Sequence, residues 1–414
     1  MDIRKFVVGQ FLLFFIWPFG SFVTSVATLN LYKSSRIIFV LFAMLYGYTF
    51  VFDQSEFGSD NGRVKEEFFL VSKMDIKGFT EFIALESTTD VFLPVSYYLV
   101  SKVSNDAHVL YGFFALIYSF FFILSFMIVF RIIDGKKLNY SLIILLFLFL
   151  LYIRFSAING VRFWIACFIY IYSVLKIVIY SKYNYLILLF TTPFIHFSYF
   201  LGVLIILTYL LIGRKLVYCY VLFGISVVFP VEFLNSMMQS TGYFTFKVND
   251  YFRENNVISE KEKRENTNFY IEWGAIIAQK FMTFALFAPA ILKSNYKFDN
   301  IESRLYSFLI VYISFLNFTS GSFEVYRRFF EVFIMICIVF FIKVISNEKI
   351  TYKSPKFIQV FSTMTLFALL PKILLGLRSG IETLNSNLIY RSVFQLIDCG
   401  NTSVYDFLHH NNFI

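Results

Sequence analysis

The chain has 414 residues, of which 58% are hydrophobic and only 15% charged, and its mean hydropathy is +0.69. This is more apolar surface than a soluble core of that size can bury, so the composition excludes an ordinary soluble protein and indicates a polytopic membrane protein. The formal net charge of +9 comes from basic residues scattered over short segments between apolar runs, which excludes a nucleic-acid-binding stripe.

The apolar runs have the length of membrane-crossing helices, whereas a transmembrane barrel would show short alternating segments. We predict an all-α polytopic membrane protein with about 12 membrane-crossing helices, whose external loops carry short amphipathic helices. The candidate spans, in chain order, are residues 6–29, 37–52, 109–132, 139–154, 162–180, 184–213, 215–234, 270–292, 304–320, 326–345 and 356–377.

Two of these runs need interpretation. The first follows Arg4 and Lys5 as a signal peptide would, but it is long and has no convincing small-residue cleavage site, so we interpret it as an uncleaved first helix. Residues 184–213 exceed the roughly 20 residues that one span needs, and Pro193 and His196 interrupt them. They form either one tilted span or two short ones, which gives about 11 or about 12 crossings.

The basic loops favour two crossings for residues 184–213. Under the positive-inside rule these loops are cytoplasmic, and they share one side only when the segment crosses twice and turns at 193–196. Both termini are then predicted outside, which leaves Arg4 and Lys5 as an exception. The loops carry Lys33 and Arg36, Arg131 with Lys136 and Lys137, Lys182, Arg214 and Lys215, Lys293 with Lys297 and Arg304, and Lys343 with Lys349, Lys353 and Lys356.

A single transmembrane domain is predicted over residues 1–377, with external loops at 53–108 and 236–270 and an external C-terminal tail at 378–414. Neither loop has a basic excess: the first has ten acidic and five basic side chains, and the second has five of each. Within the first loop, residues 92–103 are too short to span and are predicted to form an interfacial helix.

Cysteine usage indicates neither a disulfide framework nor a metal centre. Cys167, Cys219 and Cys337 lie inside apolar runs and Cys399 lies in the polar tail, without metal-ligand spacing. No pair of histidines or carboxylates shows ligand spacing on a helix either. We therefore expect no metal and no cofactor.

Two groups of arginines break the positive-inside pattern. Arg154 and Arg162 flank the short external turn FSAINGV, and Arg327 and Arg328 lie at the external start of a span. A guanidinium at membrane depth pairs with an anion or faces an aqueous cavity, and its planar fork suits a phosphate. Backbone N–H groups at the helix start after Gly160 add to an anion site. The pattern favours a receptor for a lipid pyrophosphate; the alternative is that the arginines only snorkel to lipid head groups.

His196 lies in TTPFIHFSYF at the predicted external turn. It is a candidate general base, or else a histidine hydrogen-bonded between helices. Carboxylates on the same face could bind sugar or activate a hydroxyl, although most acids in a long loop are only solvated. The acidic candidates are Asp53, Asp60, Glu86, Asp90, Glu272 and Glu324.

Four parts of the chain form a recognisable set. They are INGVRFWIACFIYIYSVLKI followed by YNYLILLFTTPFIHFSYFLGVLIIL, then FGSDNGRVKEEF, TTDVFLPVSYYLVSKV and VYRRFFEVF. Together they resemble the EpsG/Wzy class of exopolysaccharide and O-antigen polymerases, in which an arginine opens one span and a histidine follows in the next apolar stretch. That family often has Gln after the first arginine and Tyr beyond the early aspartate, whereas Phe163 and Val64 stand here.

The resemblance implies a membrane glycosyltransferase of polysaccharide biosynthesis, for example of lipopolysaccharide, in the bacterial inner membrane with its active site facing the periplasm. It implies transfer of a glycan from undecaprenyl pyrophosphate to a hydroxyl of the next lipid-linked repeat unit. The implied partners are the undecaprenyl-pyrophosphate-linked oligosaccharide and the lipid bilayer, and a chain-length regulator is left open.

Under this hypothesis His196 is the candidate base on the acceptor hydroxyl, and Asp90 is the alternative base or a sugar ligand. The pyrophosphate-binding candidates are Arg154, Arg162, Arg327 and Arg328, and the sugar-binding candidates are Asp60, Glu272 and Glu324.

Other functions remain to be weighed against this one. A lipid-linked oligosaccharide flippase would need charged residues along a path through the bilayer midplane, whereas interior charges such as Lys280 and Lys372 are few. An O-antigen ligase uses the same donor, and sequence separates it poorly from a polymerase. No acyl-transfer motif supports a membrane O-acyltransferase, and a receptor would leave the arginines of the short turn unexplained.

Overall fold

The computed structural model describes residues 3–51, 60–86, 90–136, 138–153, 156–157, 161–228, 269–291, 298–320, 322–347, 355–396 and 402–410. Within these residues the chain is helical, and its only β feature there is an isolated antiparallel bridge between Asn385 and Ser403. The all-α part of the predicted fold class is therefore confirmed for the described chain.

The α-helices are, in chain order, α1 (Ile3–Ile16), α2 (Pro18–Ala27), α3 (Lys33–Tyr48), α4 (Asp60–Ser72), α5 (Ile76–Glu86), α6 (Phe92–Ser101), α7 (Ala107–Ile133), α8 (Tyr140–Leu151), α9 (Val161–Tyr180), α10 (Leu186–Phe190), α11 (Thr192–Ile195), α12 (Tyr199–Ile212), α13 (Leu216–Val228), α14 (Phe269–Ile291), α15 (Asn300–Phe318), α16 (Phe323–Ile345), α17 (Pro355–Thr383), α18 (Asn387–Tyr390) and α19 (Val404–His410). Single 3-10 turns lie at Tyr183–Tyr185 and Val393–Gln395.

Three stretches within the described helices are long and apolar enough to cross a membrane, judged by length and composition. They are Ala107–Ile133, Arg162–Tyr180 and Lys356–Thr383. Shorter apolar helices accompany them, among them Tyr140–Leu151 and Tyr199–Ile212. The multi-helix membrane architecture is supported, but the number of about 12 crossings is not confirmed and stays a prediction.

Helices that pack side by side run along one another, either antiparallel, as α3 and α7 do, or parallel, as α7 and α9 do, so the bundle has two ends. α3 and α7 approach closely because Gly47 has no side chain; a Cβ there would lie 2.5 Å from the carbonyl oxygen of Tyr111. Arg304, near the start of α15, donates to the carbonyl oxygen of Ile179, near the end of α9, at 2.9 Å. We call the end that contains Lys33, Ile179 and Arg304 the basic end, and the opposite end the site end.

Asp299 caps α15 at the basic end. Its Oδ1 accepts hydrogen bonds from the backbone N–H groups of Ile301 and Glu302, both at 2.8 Å, and its Oδ2 lies 2.7 Å from Nζ of Lys343 on α16. Burial raises the pKa of Asp299, but Lys343 and the backbone donors lower it further, so this pKa lies below its ordinary value. The cap joins α15 to α16 at this end.

The single helix predicted for residues 6–29 is wrong. α1 ends at Ile16 and α2 begins at Pro18, and Gln10 Nε2 donates to Thr28 Oγ1 at 3.3 Å. In one continuous helix these two residues would be about 27 Å apart. The chain therefore folds back on itself at Trp17, and Ser21 Oγ donates to the Gln10 carbonyl oxygen at 3.0 Å across the hairpin.

This N-terminal hairpin of α1 and α2 returns the chain to where it began. The rings of Phe6 and Tyr32 lie 4.4 Å apart, so the start of α1 lies beside the start of α3. Arg4 and Lys5 therefore lie at the same end as Lys33. This arrangement is at odds with the prediction that the N-terminus lies outside, and it removes the exception to the positive-inside pattern.

Residues 184–213 reverse direction at His196, as the charge pattern predicts. The ring of Tyr185 lies 5.5 Å from that of Tyr172 in the lower half of α9, and the ring of His196 lies 5.4 Å from that of Phe163 in the first turn of α9. His196 has an extended backbone, φ −150° and ψ 117°, that ends α11. α12 then descends along α9 and α15. The turn places His196 at the site end.

The first long loop and the C-terminal segment both contain helices at the site end. α4, α5 and α6 lie within the predicted external loop 53–108, and α6 coincides with the predicted interfacial helix 92–103. Residues 236–268 of the second predicted loop lie outside the described residues.

The C-terminal segment differs from its predicted boundary. α17 continues to Thr383, beyond the predicted end of the transmembrane domain at 377. The segment after α17 reaches the N-terminal hairpin, where Trp17 Nε1 donates to the Ile389 carbonyl oxygen at 2.6 Å. The division into one domain and a tail stays a prediction.

Candidate functional site

Asp90 and Arg162 form an ion pair at the site end. Arg162 lies in the first turn of α9, and its Nη1 donates to Asp90 Oδ2 at 2.9 Å. The backbone N–H of Phe197 donates to Asp90 Oδ1 at 2.8 Å. The Asp90 side chain is 10% exposed and that of Arg162 31%. Asp90 therefore holds both an arginine of α9 and the backbone directly after His196.

The helices of the first loop support Asp90 from the other side. Asp90 lies two residues before α6, and Tyr97 on α6 is fully buried, with its ring 6.1 Å from that of Phe68 on α4. The Tyr97 hydroxyl donates to Glu67 Oε2 at 3.3 Å. Burial and the Glu67 carboxylate raise the pKa of Tyr97, so its phenol stays protonated and keeps this hydrogen bond.

His196 is buried at the break between α11 and α12. Its Nδ1 lies 2.8 Å from Ser198 Oγ and accepts a longer hydrogen bond, 3.3 Å, from the Ser198 backbone N–H. A backbone N–H can only donate, so this contact favours the neutral tautomer with its proton on Nε2. In the other tautomer, Nδ1–H donates to Ser198 Oγ at 2.8 Å and the ring lone pair is on Nε2.

Phe163 contacts both His196 and an arginine of the second group. Its ring is 5.4 Å from the His196 ring in an edge-on arrangement, and the Arg328 guanidinium carbon lies 5.5 Å from the same ring. The rings of Tyr199 and Phe329 lie 5.2 Å and 5.9 Å away. The cation–aromatic contact and the ring contacts tie the start of α9 to the start of α16.

Arg327 and Arg328 share one carboxylate on α16. Arg327 Nη2 donates to both oxygens of Glu324, at 2.8 Å and 3.1 Å, and Arg328 Nε lies 3.2 Å from Glu324 Oε2. The three side chains are between 33% and 42% exposed. Spacings of three and four residues put them on one side of the helix. The arginines are therefore accessible and held in place by an anion.

The site has a small positive excess in total. Arg162 is balanced by Asp90, while Arg327 and Arg328 together face Glu324. Among these five described side chains the positive charges exceed the negative ones by one, and they lie next to aromatic rings and a buried histidine. An anionic group that enters this region has to share or replace carboxylate contacts, since an ionised guanidinium and a carboxylate or phosphate make the same kind of forked hydrogen bond.

The structure describes the backbone, but not the side chains, of three further candidates, and two others lie outside the described residues. Arg154 and Asp53 lie outside the described residues. Asp60 begins α4, Glu272 lies in the first turn of α14 and Glu86 ends α5, and their side chains are not described. In the part of the chain that the structure describes, no three of His, Cys, Asp and Glu group together in a way that could hold a metal ion. The expectation of no metal stays a prediction.

Sequence analysis missed several residues of this region. Phe163 was noticed only as a departure from the family pattern, and Ser198 was not singled out. Glu331 was also missed, although it continues the spacing of Glu324, Arg327 and Arg328 along one side of α16. That spacing was the one available signal; the contacts of Phe163 depend on which helices pack together.

A comparison with protein-family models gives one assignment. The EpsG family model matches residues 36–377, which is most of the chain and contains both arginine groups and His196. Searches of curated proteins and of solved structures found no match. The EpsG family is a Wzy-like polymerase family, and the apolar helices agree with its membrane setting. This chain therefore belongs to the EpsG family and is a multi-pass membrane protein with a role in polysaccharide polymerisation.

Proposed function

We propose that this protein is a membrane glycosyltransferase that transfers a growing glycan from undecaprenyl pyrophosphate to a hydroxyl of the next lipid-linked repeat unit. The reaction takes place on the periplasmic face of the bacterial inner membrane. The observation that carries the proposal is a group of contacts at one end of the helical bundle. Phe163 contacts both His196 and Arg328, and Asp90 joins Arg162 to the backbone directly after His196.

The arginines suit a diphosphate leaving group. As the glycosidic bond to the carrier breaks, the departing diphosphate gains negative charge, and guanidinium groups held beside it stabilise that charge in the transition state. Arg327 and Arg328 already bind an anion, the carboxylate of Glu324. Nη2 of Arg327 donates to both of its oxygens, and Nε of Arg328 lies 3.2 Å from one of them. A diphosphate oxygen has the same hydrogen-bonding requirements as that carboxylate. The proposal draws its positive charge from these side chains and requires no metal.

The transfer needs one base. The acceptor hydroxyl forms the new bond to the anomeric carbon, the old carbon–oxygen bond leaves with its electron pair on the diphosphate, and the hydroxyl proton passes to the base. Both oxygens of Asp90 already accept hydrogen bonds, from Arg162 and from Phe197, which supports a positioning role for Asp90. We assign the base to His196. This role requires the tautomer in which Nδ1–H donates to Ser198 Oγ, the shorter of the two Nδ1 contacts at 2.8 Å, in place of the tautomer that accepts the 3.3 Å contact from the Ser198 backbone N–H.

Three carboxylates were predicted to bind sugar. Glu324 contacts both Arg327 and Arg328, which favours a role as their partner over a role as a sugar ligand. Asp60 and Glu272 stay candidates for the sugar because carboxylates bind sugar hydroxyls, and the helices that carry them begin at the ends of the two long loops.

The glycan ladder of a deletion strain tests the function. A polymerase defect gives lipid A capped with single repeat units, a flippase defect gives no surface units, and a ligase defect leaves polymer on its carrier. We expect the first pattern. Complementation with Arg162→Ala or Arg328→Ala at normal abundance should fail to restore long chains, whereas Arg131→Ala at the basic end should restore them. Full chain length with both site variants would show that the site assignment is wrong.

A further inference from the structure

An ion pair outside the assigned site lies one helical turn below the arginines. Glu331 on α16 is buried, and Lys372 on α17 donates a hydrogen bond to its Oε1. The Glu331 side chain is 11% exposed and that of Lys372 31%. Charges placed within a helical membrane bundle are costly and rarely contribute net stability, so their presence calls for a functional explanation.

Glu331 lies where several helices meet. Its helix, α16, contacts α7, α8, α9, α14 and α15. Lys372 follows Pro371, which packs against Gly274 of α14 so tightly that a Cβ on that glycine would lie 2.7 Å from Pro371 Cβ. The backbone that carries Lys372 is thus fixed by close packing, and its ammonium group is presented to α16 from a defined position.

The same helix, α17, also contacts the other half of the site. Ser156 Oγ, in the turn that precedes Arg162, donates to Ser379 Oγ at 3.1 Å. Ser379 lies two helical turns beyond Lys372. α17 is therefore linked to the arginines of α16 through Glu331 and to the turn before α9 through Ser379.

The position of Glu331 on α16 explains why it needs a partner from another helix. It lies four residues after Arg327 and three after Arg328, and side chains at these spacings are neighbours on a helix surface. A carboxylate at this position without Lys372 would compete for those guanidinium groups and draw them toward the bundle interior. Lys372 removes that competition because it occupies the carboxylate.

We propose that Lys372 and Glu331 form a positioning pair, in which Lys372 holds Glu331 away from Arg327 and Arg328 so that both guanidinium groups stay directed to the diphosphate of the lipid-linked substrate. This inference rests on the proposed function. It assigns to Lys372 and Glu331 no contact with the reacting atoms.

The single variant Lys372→Met and the double variant Glu331→Gln with Lys372→Met give opposite expectations, which makes the proposal testable. Lys372→Met leaves Glu331 free to capture an arginine, so the Kd for undecaprenyl diphosphate should rise about tenfold. Glu331→Gln combined with Lys372→Met removes both charges, so its Kd should return to within about threefold of that of the unmodified protein. Lys372→Arg keeps the pair and should bind normally.

The measurement is a titration of the purified full-length chain in lipid nanodiscs with undecaprenyl diphosphate, with thermal unfolding recorded for each variant. Lys343→Met is the matched control, because it removes a lysine that pairs at the opposite end of α16. If the unmodified chain does not bind undecaprenyl diphosphate, that result contradicts the proposed function rather than the role of the pair. A normal Kd for Lys372→Met, or a double variant as weak as Lys372→Met, overturns the proposal.

A second variant decides the matter if Lys372→Met does not fold. Glu331→Asp keeps both charges but shortens the side chain by one methylene, which loosens the pair without leaving a lone buried charge. We expect its Kd to rise by about threefold or more with an unchanged unfolding midpoint. An unchanged Kd in this variant would overturn the proposal as well.

Discussion

Asp90 accepts a 2.9 Å hydrogen bond from Arg162, across 72 residues of chain, and thereby occupies the arginine that sequence analysis assigned to pyrophosphate. The second oxygen of Asp90 accepts from the backbone N–H of Phe197. One carboxylate thus fixes both the arginine at the start of α9 and the chain reversal at His196. Binding of a diphosphate at Arg162 has to take place alongside this pair.

The Asp90 pair gives the first prediction. Asp90→Asn removes the charge opposite Arg162 and should shorten the glycan ladder strongly. It should also lower the free energy of unfolding by about 1–2 kcal/mol, since the pair is largely but not fully buried. The glycan ladder and thermal unfolding in detergent are the measurements. Asp134→Asn, an exposed aspartate at the basic end, is the control and should change neither. A full ladder with Asp90→Asn would contradict the role of the pair.

A second prediction concerns Glu324, which occupies both arginines of α16. Because a diphosphate and this carboxylate seek the same donors, Glu324→Gln should weaken the competition and lower the Kd for inorganic pyrophosphate or undecaprenyl diphosphate several-fold, about threefold to tenfold. Titration of the variant beside the unmodified chain measures this. Weaker binding instead would mean that Glu324 holds the arginines in their binding geometry and does not compete.

The contact between Ser198 and His196 yields a third prediction. If His196 is the base, its Nδ1–H needs an acceptor, and Ser198 Oγ is that acceptor. Ser198→Ala should then reduce the rate of polymerisation about tenfold with little change in KM, and His196→Gln should reduce it about a hundredfold or more. Rates with a lipid-linked repeat unit would be measured at several pH values. A pH profile that is unchanged by Ser198→Ala would argue against this tautomer.

The N-terminal hairpin changes the expected membrane topology. We expect Lys5→Cys and Lys33→Cys to be labelled by a membrane-impermeant thiol reagent from the same side of the membrane, and Ser320→Cys from the opposite side. Cys399 would be replaced by serine to lower the background. The described native cysteines, Cys167, Cys219 and Cys337, are buried. Labelling of Lys5→Cys and Lys33→Cys from opposite sides would contradict the hairpin and support the single crossing predicted for residues 6–29.

The pKa of Asp299 predicts a pH dependence of stability. Its folded value lies below the ordinary 3.8, so the capped carboxylate stabilises the protein above that value, and this contribution is lost as the pH falls through the folded pKa. As the pH falls below about 4, the free energy of unfolding of Asp299→Asn should therefore decrease less than that of the unmodified chain. The difference should be less than about 1 kcal/mol because the group is partly exposed. Thermal unfolding across this pH range measures it, and parallel curves would contradict the expectation.

Much of the candidate site was visible in the sequence as single residues, but not as a set of contacts. Arg162, Arg327 and His196 stood out because charged or helix-breaking residues are rare in apolar runs. The reversal at His196 followed from the charge pattern, and the structure has it. The hairpin at Trp17 was missed, because a proline in an apolar run gives no direct sign of whether the chain kinks or folds back.

The sequence by itself determined the helical membrane class, the positions of most helices and the residues that do not belong in a bilayer, because hydropathy and charge act locally along the chain. The tertiary structure alone decided that Asp90 meets Arg162, that Phe163 contacts both His196 and Arg328, and that Lys372 pairs with Glu331. Apolar helix faces are equally compatible with lipid and with protein, so hydropathy does not specify which faces meet. Packing between helices that are far apart in the chain specifies it.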